Sequence, residues 1–165
     1  MSSSPPPSDE DPEGQLALHA EALATGIDEC LAGWVVRCVE QRLVEWAGSV
    51  TDDIADQAAR AGEEARTEVA PRVAAMLHTD IDSQRVSPLA VVREAIRYPT
   101  EVLAAAGVPP VVRDEVDERL HPDDHYGLAP ANFGDIDPRL AEPGLAWGAA
   151  KAFVHLARRR AEGLR

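Results

Sequence analysis

The chain has 165 residues, of which 45% are hydrophobic, with 28 alanines against seven aromatic residues and a formal net charge of −13. That length is enough for one domain that buries roughly two thirds of its unfolded surface, and alanine-rich apolar content favours close packing of helices. The negative charge opposes phosphate backbones and anionic lipid, so a nucleic-acid or membrane-surface role is disfavoured and a basic partner surface is the better electrostatic match.

Residues 1–14, MSSSPPPSDEDPEG, are proline-rich and carry four carboxylates. Such a segment buries too little apolar surface to offset the entropy of ordering, and a disordered acidic tail is expected. It has neither the basic nor the apolar region of a signal peptide, and no run in the chain approaches the ~18 apolar residues of a membrane span. The expected address is the cytoplasm.

From Gln15 the pattern becomes helical, and Thr25-Gly26 offers a break or kink. Beyond it Ile27, Cys30, Leu31, Trp34, Val35, Cys38, Val39, Arg42, Leu43 and Trp46 recur at i, i+3, i+4 and i+7, an apolar helical stripe. Cys30 and Cys38 on that helix are ~12 Å apart, too far for a mutual disulfide, and read as reduced core thiols. Gly48-Ser49 closes the helix and Thr51-Asp52-Asp53 supplies capping oxygens for the next. The short link makes an antiparallel hairpin over 15–78. Its second arm carries Ile54, Ala58, Ala61, Ala65, Val69, Val73 and Met76 inward, and is bent near Ala70 by Pro71.

Ser87-Pro88 is an N-cap followed by proline at the first helical position, and Gly107 is a C-terminal stop. Leu89, Val92, Ala95 and Ile96 mark the inner face between them, with an interruption expected at Tyr98-Pro99. Seven of the 13 prolines fall in 99–143, which predicts short helices and turns, one of them at 110–119. The segment HPDDHYGLAPANFGDIDP is long for a connection in a compact domain, a feature of functional loops. A last helix spans about 143–162, with Gly144, Gly148 and Ala152 on one ridge that suits close packing against the core or a second subunit. Arg158, Arg159, Arg160 and Arg165 complete it; their opposition to the acidic start of the chain favours head-to-tail or intramolecular contact. The architecture expected is all-α: a long hairpin with shorter helices in an irregular four- or five-helix bundle, and a proline-rich loop around 120–142 wrapping one end.

Two constellations could carry chemistry. His121, Asp123, Asp124 and His125, with Asp135 and Asp137 downstream and His78, Asp80 and Asp82 in an earlier loop, have the donor types of a zinc, manganese or iron site, with His121, Asp124 and His125 as the candidate ligands. The same residues cap helices and make turns, and neither HExxH nor a paired-cysteine spacing is present. Lys151 and His155 lie one turn apart on the last helix; with Tyr126, Phe133 and Trp147 they would line a ligand pocket against the loop. A lysine stem lying along an apolar helix face explains Lys151 equally well, and aromatic rings can simply anchor an irregular region. No nucleophile elbow, phosphate-binding loop or cofactor motif is found.

The run IRYPTEVLAAAGVPPVVRDEVDERLHPDDHYGLAPANFGDIDP with LAWGAAKAFVHLARRR resembles a class of small uncharacterised actinobacterial proteins over roughly the last 75 residues. The resemblance implies an intracellular helical protein and carries over no catalytic residue. The reading that follows is a non-enzymatic interaction or regulatory protein that binds a protein partner through a helical face or the acidic tail. The leftover apolar surface of a two-helix hairpin also points to a homodimer. The alternative is a small-ligand or metal-binding protein, or an enzyme, with its site between 120–137 and the Lys151/His155 face.

Overall fold

A computed structural model describes residues 11–111, 115–120 and 125–163, with Asp117, Glu118 and Tyr126 as backbone only. The protein is all-α, and no strand occurs among the described residues. Helix α1 runs from Pro12 to Ala47, 36 residues and about 54 Å of continuous helix. It begins inside the segment expected to be a tail. Asp11 accepts a bond from the Gly14 N–H at 3.0 Å, and Pro12 occupies the first turn, where its missing N–H has no cost. The rest of that segment lies outside the described residues.

The break expected at Thr25-Gly26 is absent. A Cβ at Gly26 would stand 2.5 Å from Leu140 Cδ2, so this glycine is a notch for a side chain from the far end of the chain. Gly48 ends α1 in the left-handed conformation at φ 81°, its N–H donating to the Val44 carbonyl. Helix α2, Asp52–Glu68, follows with Thr51 as its cap, and α3, Ala70–His78, continues the same arm past the bend at Pro71. Ala58, Ala61, Gly62, Ala65, Val69 and Val73 are buried. Small side chains let the two arms approach, and a Cβ at Gly62 would meet the Ala32 carbonyl oxygen at 2.7 Å.

The third layer is α4, Pro88–Arg93, a 3-10 turn at Glu94–Ile96, and α5, Arg97–Ala105. Ser87 caps α4 and Gly107 stops α5 at φ 77°. The irregularity lies upstream of Tyr98-Pro99, because a proline ring in a helix crowds the carbonyl four residues before it, here that of Ala95. Helix α6, Glu115–Leu120, occupies part of the expected 110–119 helix; residues 112–114 are outside the described set. Helix α7, Ala141–Ala161, packs on α1 with Trp147 and Val154 buried. One apolar core joins all these layers, and both cysteines are free and buried within it.

Candidate functional site

The segment before α7 is built from consecutive turns. Tyr126–Leu128, Phe133–Asp135 and Pro138–Leu140 are short 3-10 helices, the second closed by a reciprocal cap between Asn132 and Asp135. Two arginines hold its backbone. Arg93 donates to the carbonyls of Pro130 (2.8 Å) and Ala131 (3.1 Å), and Arg37 donates to that of Ile136. Ala129, Ile136 and Leu140 plug the core. The segment is thereby a fixed wall against which α7 starts.

His121, Asp123 and Asp124 lie outside the described residues. His125 is buried against α5, its backbone N–H donating to Thr100 Oγ1 at 3.1 Å and its carbonyl accepting from Leu128. Asp135 accepts from the N–H groups of Ala131 and Asn132, so this acid serves the turn. Among the described residues no three His, Cys, Asp or Glu side chains are grouped to hold a metal ion.

Of the suggested pocket residues, Phe133, Trp147 and Lys151 do come together. Phe133 and Trp147 meet edge to face at 6.4 Å, and Lys151 Nζ lies 5.1 Å from the Trp147 ring centroid. Its ammonium also donates to Gln84 Oε1 at 3.4 Å, so the lysine lies along an aromatic face with its charge partnered. His155 belongs elsewhere, exposed beside Asp82 at 3.6 Å. The Tyr126 side chain is outside the described set.

The charges at the C-terminal end of α7 converge on one residue. Arg158 donates to Glu13, Asp80 and Asp82 at 2.7 to 3.1 Å, tying the first turn of α1 and the turn after α3 to α7. This is the intramolecular contact expected between the acidic start and basic end of the chain. Hydrogen bonds from Arg158 hold the Asp80 carboxyl below its ordinary range. Three carboxylates saturate the guanidinium, leaving it no role toward an outside anion.

Among the described residues the outer side of α7 has no such partners. Leu145 is 77%, Phe153 51% and Leu156 47% exposed, and Gly148, Ala149 and Ala152 between them are also exposed. Beside Leu145 opens an apolar cleft of about 320 Å³, lined by Leu89, Asn132, Phe133, Ala141 and Gly144. Among the described residues no titratable side chain lines it.

Comparisons with protein-family models, curated proteins and solved structures found no match.

The small-residue ridge is only partly a packing ridge. Gly144 fits the Phe133 ring, to which an added Cβ would come within 2.9 Å, whereas Gly148 has nothing within 4 Å. Steps of four residues advance a helix face by about 40°, so the ridge winds from the flank of α7 to its outside. The residues missed from the sequence are Leu145, Ala149 and Leu156. Their signal was there: with Ala152 they recur at 4, 3, 4, opposite Trp147 and Val154, which makes α7 apolar on two faces.

Proposed function

We propose that this protein acts by binding another protein molecule through the outer face of α7 and its adjoining cleft. The observation that carries the reading is the exposure of Leu145 and Leu156 in one line, with Phe153 on its flank, on a helix whose opposite side already serves the core. A contiguous apolar surface rimmed by charge is the usual mark of an interaction site. Among the described residues, three groups that could have carried chemistry have structural partners. Lys151 lies over Trp147, His155 pairs with Asp82, and Asp135 serves a turn. The cleft offers apolar walls and one amide, chemistry that suits a leucine or aromatic side chain of a partner.

The test is affinity capture from native cells with mass spectrometry, using the unaltered chain and the Leu145→Asp/Leu156→Asp variant at equal levels. The proposal expects a protein, a second copy included, retained by the first and lost from the second. Equal capture by both would contradict it.

A further inference from the structure

We infer that the occupant of the α7 outer face is a second copy of this chain, paired through α7 in an antiparallel, two-fold arrangement. The inference rests on the docking reading above and supplies its partner.

The reasoning starts from the line Leu145, Ala149, Ala152 and Leu156, which extends about 16 Å along the helix and is symmetric about the midpoint between Ala150 and Lys151. A perpendicular two-fold axis at that midpoint sets Leu145 against Leu156 of the second copy, and the reverse. On one flank Gly148 meets Ala152 of the copy, and on the other Ala149 meets Phe153. Large side chains thus oppose one another at the ends, and small ones dominate the centre, which lets the axes approach at the short end of the usual 8–10 Å spacing. The space above Gly148 is open in the single chain, with nothing within 4 Å of where a Cβ would stand.

Charge fixes the direction. Glu142 lies in the first turn of α7 and Arg160 in its last, on the same flank of the outer face and both exposed, and neither forms an ion pair with another described residue. In the antiparallel pair each Glu142 meets Arg160 of the other copy, at both ends. In a parallel pair, Glu142 would meet Glu142 and the Arg159-Arg160 ends would meet each other, which opposes that arrangement. Such self-complementarity is what a two-fold interface requires of one surface patch. The apolar cleft extends the patch from Leu145 toward Leu89.

The experiment is sedimentation or light scattering on the purified full chain, with circular dichroism confirming that each variant is folded. The expected result is a dimer at concentrations on the order of 100 µM. Leu145→Asp and Leu156→Asp should each weaken it at least about tenfold. Glu142→Arg and Arg160→Glu should each weaken it, and the two together in one chain should restore it. A monomeric unaltered chain at that concentration, a dimer indifferent to Leu145→Asp, or a double charge reversal weaker than either single change would each overturn the inference. The docking reading fails separately. If the chain is monomeric yet Leu145→Asp/Leu156→Asp abolishes capture of a different protein, the second copy is excluded and the docking face stands. If nothing associates in either assay, both fall.

Discussion

Gly62 and Gly148 are both helical glycines, and in a sequence each reads as a position that alanine would improve by up to about 1 kcal/mol. Their surroundings separate them. Gly62 faces the Ala32 carbonyl, where an added Cβ would stand at 2.7 Å, and backbone on both sides leaves nothing flexible to yield. Gly62→Ala should therefore destabilise the fold by about 1–3 kcal/mol, the usual cost of overpacking. Gly148→Ala should stabilise the single chain by roughly 0.5–1 kcal/mol. Urea unfolding at low protein concentration measures both. Cys38 offers a second test at this scale, because burial pushes its thiol up to about 12. A neutral buried thiol does not alkylate. Mass spectrometry should find Cys38 unmodified by iodoacetamide at mild alkaline pH in the folded protein and modified once urea unfolds it.

The elements were legible wherever local chemistry decides them. The caps at Thr51 and Ser87, the left-handed stops at Gly48 and Gly107 and the bend at Pro71 depend on residues within one turn, and they lie where the sequence put them. The failures have tertiary causes. Gly26 reads as a break because its use, a slot for Leu140, comes from more than a hundred residues away. Trp46 continues the α1 stripe in sequence yet is 54% exposed, because α1 ends one residue later and its ring is covered on one side only, by Arg42 at 5.7 Å. Arg158 is a mixed case: the opposition of acidic start and basic end favours its contact with Glu13, whereas only the fold brings Asp80 and Asp82 to it.

That clamp has a pH signature. The folded-state pKa of Asp80 lies below its ordinary 3.8, so its stabilisation is complete above about that value and is lost as the pH falls through the lower folded value. The contribution is therefore constant from neutral pH down to mildly acidic pH and disappears only in strong acid. Arg158→Ala should lower the thermal midpoint at pH 7 and make its decline below pH 4 shallower than in the unaltered chain. Parallel acid limbs for the two proteins would mean that the exposed clamp is screened into irrelevance.

At the scale of the whole molecule, the placement of the candidate site follows from how α7 is shared. Its inner face completes the core through Trp147 and Val154, and its C-terminal end is fixed by the Arg158 clamp. Its start is set by the turns that Arg37 and Arg93 hold. A helix so constrained presents its outer face as a rigid surface, and rigid surfaces lose little entropy on association. The described helices include none long and apolar enough to cross a membrane, so lipid does not account for that face as a spanning segment. Periodicity made the apolar residues of α7 visible, but which of two apolar faces turns inward depends on the packing against α1, which no local pattern carries.

The claim that α7 has one face for folding and another for association is tested most directly by the thermal midpoint as a function of protein concentration, for the unaltered chain and for Leu145→Asp/Leu156→Asp. Association of the native state raises the midpoint by mass action. The unaltered chain should gain stability as concentration rises, whereas the variant should stay constant at the value the unaltered chain reaches on dilution. A midpoint independent of concentration in the unaltered chain would contradict association with a second copy, and a variant that melts below the dilute unaltered chain would show that the outer face belongs to the fold.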